Sequence, residues 1–494
     1  MITLEQFRSL ASSANVIPLH RTMLADMHTP VSAYLALRES GRPSFLFESV
    51  EPDESIGRFS FVGIEPIMTL RARGAGVECS TNGTTAQLEG NIFDALNNQA
   101  ARYRQAQIQG IEGFLGGFVG YIGYPAVGHL ERVPLPEPES DQESESVFGL
   151  FTSILRFDHR RQTVTLVHNV IVNGTESLEQ AYERGRARLD AMELKFLRPP
   201  PSQQSFSCDV SGVGDKADHD EFCAAVRRAK AYIVEGDIFQ VVLSRRVRVP
   251  FSGDLFAAYR ALRIINPSPY LFHLEFGQTQ LSGSSPEVLV RVLDSRVEVL
   301  PIAGTRRRGS TPEEDHVLEE ELLSDEKERA EHVMLVDLGR NDVGRISRMG
   351  SVEVPTFMRI ERYSHVMHMV SEVHGALRDG LGALDAFKAC FPAGTVSGAP
   401  KVRAMEIISE LEKSSRGAYA GAVGYLGLNG SLDTCIAIRT IVAHRGVLSV
   451  QAGAGIVADS NPETEYQETL SKSRALLEAI KTAAAGLRTI ESIL

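Results

Sequence analysis

GAVGYLGLNGSLDTCIAIRTIVAHRGVLSVQAGAGIV, from Gly421 to Val457, decides the fold class. GAVGYLGL, TCIAIRTIV and VLSVQAGAGIV are apolar, β-branched runs parted by turn-length polar segments, and they read as consecutive strands. Upstream, Phe222, Val226, Ala229 and Ile233 recur at helical spacing and predict a helix that ends near Gly236. FQVVLSRRVRV, from Phe239 to Val249, predicts a strand, and further strands are expected at Pro269 to Phe276, Glu287 to Leu293 and Arg296 to Pro301. The order is helix, many strands, helices, then strands again, without regular alternation. It predicts an α+β fold with large antiparallel sheets flanked by helices, not a doubly wound sheet.

GFLGGFVGYIGY, from Gly113 to Tyr124, reads as closely packed strand because glycine admits near backbone approach. PLPEPESDQESES, from Pro134 to Ser146, is proline-rich and acidic and predicts an exposed loop. A second break, poor in large apolar residues, runs from Arg198 to about His219. We therefore expect an N-terminal region 1–200 packed into the same overall fold, a linker or loop over 201–219, and a catalytic region 220–494.

The chain has 494 residues and a net charge of −12, which disfavours broad nucleic-acid or anionic-membrane surfaces. A small anion held by a few arginines and a bound cation remains compatible with it. The cysteines Cys79, Cys208, Cys223, Cys390 and Cys435 are widely spaced, so neither a disulfide framework nor a cysteine-rich zinc site is expected. MITLEQFRSLASSANVIPLH does not resemble an export signal, and the expectation is a cytoplasmic protein.

Glu328 and Glu331 are three residues apart in DEKERAEHVMLVDLGRND, which puts both on nearly one helix face. Glu465 and Glu468 repeat the spacing in NPETEYQETLSKSRALLEAI. Four carboxylates from two helices can share one hard cation, although such pairs are more commonly solvated faces.

The C-terminal half resembles the family of chorismate-utilising enzymes, through SPEVLV from Ser285, PIAGTRRRG from Pro301, AEHVMLVDLGRND from Ala330, FPAGTVSGAPKVRAMEII from Phe391 and QAGAGIVADSNPETEYQE from Gln451. FESVEPDESIGRFSFVG, from Phe47, looks like the start of anthranilate synthase large subunits. The resemblance implies that Glu331 and Glu468 coordinate Mg2+, which holds the ring carboxylate of chorismate, with Glu328 and Glu465 behind them. It implies that Glu287 is the general acid for the leaving 4-hydroxyl, which requires a raised pKa. His368, in SHVMHMVSEVHG, matches the histidine of the aromatising step that expels pyruvate; His365 and His374 share its segment. Tyr419 and Arg439 match residues that bind the enolpyruvyl carboxylate, beside backbone N–H groups near Gly453 and Gly455. Thr395 and Lys401 match a substrate-side loop, whether as polar contact or as loop support.

Among sister reactions, members that add water carry lysine where this chain has Gln240, and neutral glutamine cannot act as a general base. Aminodeoxychorismate synthases carry a nucleophilic lysine where this chain has Ala303, which has no functional group. Both departures imply direct addition of ammonia and formation of anthranilate, as in the large subunits of that branch. No cysteine sits in a glycine-rich nucleophile elbow, so the resemblance implies a separate glutamine amidotransferase subunit that delivers the ammonia.

The same resemblance implies feedback inhibition by tryptophan. Glu48 and Ser49 match one wall of the regulatory site, and Asn266, Pro267, Ser268, Pro269 and Tyr270 match the second. On this expectation, the Glu48 carboxylate receives the ammonium group, and an apolar cleft holds the indole.

Overall fold

The computed structural model describes residues 1–49, 57–111, 113–136, 144–201, 205–210, 216–363 and 366–487. Two antiparallel sheets, of twelve strands each among the described residues, form the centre of the molecule. One runs from the strand Val16–Leu24 through Ser44–Glu48, Tyr270–Phe276 and Thr279–Ser285 to Thr440–His444, Val447–Ile456 and Gln240–Gly253. The other runs from Ile302–Arg307 and Val366–Ala376 through Val288–Leu293, Leu432–Ile436 and Ala422–Gly427 to Gly117–Ile122 and Thr84–Leu88. Each sheet therefore takes strands from both sides of residues 201–219. That stretch itself holds the short strand Phe206–Cys208, paired with Gln240–Gly253, and the beginning of the helix Lys216–Glu235.

Side-chain alternation explains the layering. Phe272, Leu274 and Phe276 point from the first sheet into an apolar layer shared with Val119, Tyr121 and Val423 of the second. The opposite faces are covered by helices: Leu178–Phe196 packs on Thr163–Ile171, and Ala383–Cys390 packs on Val288–Leu293. The glycine-rich stretch gives the strand Gly117–Ile122. A Cβ on Gly120 would come 1.9 Å from the carbonyl oxygen of Val147, so the strand approach requires glycine there. Residues 137–143 of the acidic segment lie outside those described, and Ser146 begins the next strand.

The helix expected before Gly236 ends at Glu235. TCIAIRTIV, expected to be one strand, is corrected to two, Leu432–Ile436 and Thr440–His444, which belong to different sheets. The break falls at Arg439, whose φ of 51° is left-handed backbone that cannot continue a strand.

Candidate active site

The chain passes between the sheets at two places that touch. It leaves Thr279–Ser285 through Pro286 and Glu287 to enter Val288–Leu293, and it returns through Ala437, Ile438 and Arg439. The amide of Ile436 donates to the Glu287 carbonyl at 3.0 Å, and that of Ser284 donates to the Arg439 carbonyl at 3.0 Å. Two side chains 152 positions apart in sequence, Glu287 and Arg439, thus line one cavity of about 380 Å³.

Helices bring the carboxylates to the same cavity. Asp325 accepts from the amides of Lys327 and Glu328 and starts the helix Glu326–Gly344, which presents Glu331. Asn461 caps Pro462–Ala484, with Pro462 in its first turn, and sets Glu465 and Glu468 on the cavity wall. Burial pushes the Glu331 carboxyl up, and the charges of Glu328 and Glu468 add to this. Burial, then the charge of Glu468, pushes Glu465 up. Glu328 stands behind this wall and accepts from Arg306 at 3.0 Å. Glu331, Glu465 and Glu468 do not converge on one point: Glu468 Oε1 is held 2.6 Å from Lys472 Nζ, which also donates to the Gly453 carbonyl at 3.0 Å. Gln240 Nε2 lies 3.4 Å from Glu331 Oε1.

Glu287 is enclosed, and burial raises its carboxyl to about 7 against the opposing pull of a hydrogen bond from Thr395 Oγ1 at 2.7 Å. It can therefore hold a proton near neutral pH. His368 Nδ1 lies 3.1 Å from the Gly304 carbonyl oxygen, an acceptor only, so Nδ1 carries the hydrogen and Nε2 keeps a lone pair. Burial lowers the histidine's pKa and favours this neutral form.

Arg439 and Tyr419 stand together. Burial raises the Tyr419 hydroxyl to about 12, so it remains a donor. Gly453 and Gly455 make the approach possible: an added Cβ would lie 2.6 Å from the Tyr419 hydroxyl at one and 2.8 Å from Gln240 Nε2 at the other. Ala303 also lines the cavity. Lys401 is not on the wall; its Nζ pairs with buried Asp342 at 2.7 Å, which supports the loop from beneath. Lys327 and Lys472 were missed by the sequence reading. For Lys472 a signal existed, since it follows Glu468 by one helical turn. His365 lies outside the described residues, and His374 faces a different cavity.

A family profile described as chorismate binding enzyme matches residues 42–478. The chain belongs to that family. It is 46% identical over 490 residues to anthranilate synthase component 1 of Acetivibrio thermocellus, covering 97% of this chain and 98% of the relative. The crystal structure of anthranilate synthase component I from Streptococcus pneumoniae superposes with a TM-score of 0.72 at 36% identity, over 92% of this chain and 98% of that one. The menaquinone-specific isochorismate synthase of Escherichia coli shares the fold alone, with a TM-score of 0.69 at 20% identity over 97% of this chain and 98% of that one. The fold therefore serves different chemistries, and the reaction must be argued from the cavity.

A second cavity, of about 830 Å³, lies in the layer between the sheets and is walled by Phe47, Ser49, Phe61, Phe114, Pro269 and Tyr270. Glu48 also borders this cavity, while its carboxylate is engaged elsewhere. Glu48 and Phe47 are neighbours on a strand and point to opposite faces. The carboxylate is buried on the far face, where it accepts from Tyr259 Oη at 2.5 Å and Arg263 at 2.9 Å. Asn266 and Ser268 are hydrogen-bonded to Ser284, and Asn266, Pro267 and Ser268 form the turn that leads to the wall. Among the described residues no helix is long and apolar enough to cross a membrane.

Proposed function

We propose that this chain makes anthranilate and pyruvate from chorismate and ammonia, the first committed step of tryptophan biosynthesis, a reading supported by relatives named anthranilate synthase component 1. The observation that carries the reading is one cavity holding a protonatable Glu287, a neutral His368, Arg439 with Tyr419, and helix-borne glutamates, with uncharged Gln240 and Ala303 where sister reactions require lysine.

Burial, and then the charge of neighbouring glutamates, raises the Glu331 and Glu465 carboxyls, and oxygen donors grouped in this way suit a hard divalent ion. Glu331 and Glu468 would hold Mg2+ directly, Glu468 leaving Lys472 to do so, with Glu328 and Glu465 behind. The ion would neutralise the ring carboxylate and draw electron density from the ring. Arg439 grips the enolpyruvyl carboxylate through paired N–H bonds, and Tyr419 donates one more. Ammonia adds at C2 while Glu287 gives its proton to the departing 4-hydroxyl, which leaves as water. His368 Nε2 is the acceptor available when the C2 proton is lost and the ring C–O bond breaks; the enolpyruvate released takes up a proton at its methylene carbon and becomes pyruvate. A glutamine amidotransferase subunit supplies the ammonia, and a reducing cytoplasm suits the free thiols.

Purified chain with chorismate, Mg2+ and ammonium should give anthranilate by fluorescence and equal pyruvate by separate assay. Glutamine should replace ammonium only when the partner is added. Isochorismate as the main product would overturn the reading.

The second cavity favours a further part of it, inhibition by tryptophan. One part of its wall is aromatic, with Phe47, Phe61, Phe114 and Tyr270, and Ser49 Oγ beside it is buried without a hydrogen-bond partner. Carbonyls at the Pro269 and Tyr270 wall, not Glu48, would receive the ammonium group.

A further inference from the structure

The helix that carries Glu465 and Glu468 also contributes to a second group of ligand-type side chains, which the reaction does not use. His219 and Cys223 are four residues apart on the helix Lys216–Glu235 and so share a face. Glu463 stands in the first turn of Pro462–Ala484. One ligand atom from each lies within 4.8 Å of the other two. His219 Nε2 is 2.7 Å from Glu463 Oε2 and 3.7 Å from Cys223 Sγ.

We propose that His219 Nε2, Cys223 Sγ and a Glu463 carboxylate oxygen bind a divalent transition ion of the zinc class, with water completing a tetrahedral shell. The donor set selects the ion. Imidazole, thiolate and carboxylate together suit Zn2+, whereas Mg2+ takes oxygen. The distances fit as well. With bonds of about 2.0 Å to nitrogen and about 2.3 Å to sulfur, a tetrahedral centre sets the two ligand atoms about 3.5 Å apart. The nitrogen and carboxylate oxygen need about 3.3 Å. Glu463 is exposed and can open by that small amount.

The surroundings orient the imidazole. Asp220 Oδ1 lies 2.9 Å from Nδ1 and fixes the hydrogen there, the arrangement that directs the other nitrogen to a metal. Tyr466 packs its ring edge-on against the histidine at 4.7 Å between centroids. On binding, the proton shared between Nε2 and Glu463 and the proton of the buried thiol pass to solvent, and no group changes oxidation state. A bound ion would tie the helix Lys216–Glu235 to the first turn of the helix that presents Glu465 and Glu468.

Co2+ titration of the full chain, with excess Mg2+ to hold the carboxylate cavity, tests this. One equivalent should produce a thiolate-to-cobalt charge-transfer band, displaced by Zn2+. The band should vanish in Cys223→Ser, persist in Cys208→Ser, and require at least about tenfold more Co2+ in His219→Ala. Glu463→Gln, an exposed change that spares the core, should weaken binding to a similar extent. No thiolate band, a band that survives Cys223→Ser, or unchanged Co2+ affinity in Glu463→Gln would overturn the site. Because the band reports sulfur ligation, its absence leaves the reading of the carboxylate cavity untouched, and failure of that reading leaves the band.

Discussion

Thr395 Oγ1 donates a 2.7 Å hydrogen bond to Glu287 Oε1, across 108 positions of sequence. The bond favours the ionised carboxylate, while burial favours the acid and is the larger effect. Thr395→Val should therefore raise the Glu287 pKa further and move the basic limb of the rate profile upward from about 7. Glu287→Gln should lose about 10²- to 10⁴-fold in kcat. Rates measured at fixed free NH3 across pH will check both. An unmoved basic limb in Thr395→Val would remove Glu287 as its origin.

The same carboxyl makes stability depend on pH. Its folded pKa lies above the unfolded value, so its contribution is complete below about 4.3 and is lost as pH rises through about 7. From about pH 5 to about pH 8.5 the wild type should lose about 3 kcal/mol relative to Glu287→Gln. Denaturant unfolding of both proteins, in chelator and at the two pH values, gives the difference.

Removal of Mg2+ by chelator should abolish turnover reversibly. Glu331→Gln and Glu468→Gln each delete an anionic ligand and should weaken Mg2+ strongly, whereas Glu328→Gln should cost about 10- to 100-fold. Lys472→Met frees Glu468 and removes a nearby positive charge, so Mg2+ should bind several-fold more tightly in the absence of chorismate. Calorimetric titration is the readout, and unchanged Mg2+ affinity in both Glu331→Gln and Glu468→Gln would reject the ligand assignment.

Lys401 tests support against contact. Its pairing with buried Asp342 predicts that Lys401→Met destabilises the fold by about 3 kcal/mol, partly relieved by adding Asp342→Asn. The KM for chorismate should remain unchanged at a temperature where the variant is folded.

Legibility in the sequence followed the range of the physical signal. Helical spacing is local and pairs Glu328 with Glu331 and Glu465 with Glu468 on shared faces, although their part in a site rests on the motif resemblance; the helix end at Gly236 is local as well. Arg439 was placed within a continuous strand because residues on both sides are buried and β-branched. Nothing in that pattern marks a change of sheet. Lys401 was ambiguous because Asp342 is 59 positions away. Glu48 is different: the motif match alone gave it a role, and the side its carboxylate takes became visible only with the strand Ser44–Glu48, along which it alternates with Phe47.

Tryptophan inhibition, if it works through the second cavity, can be read directly because the chain contains no Trp. Bound tryptophan is then the indole fluorophore, and its emission should shift as it enters the aromatic walls around Phe47, Phe61 and Tyr270. Ser49→Phe places a ring on that wall and should weaken binding by at least about tenfold, equivalent to about 1.4 kcal/mol. The cavity lies apart from the carboxylates, so inhibition requires that tryptophan prefer a state in which chorismate binds or reacts poorly; equal affinity for both states would shift nothing. Linkage then makes the effect reciprocal: chorismate with Mg2+ must weaken tryptophan by the factor that tryptophan weakens chorismate. Glu48→Gln should disturb Arg263 and Tyr259 on the far face, lowering stability more than tryptophan affinity. Saturable tryptophan binding unchanged in Ser49→Phe, or a complex with tryptophan between Glu331 and Glu468, would refute the placement.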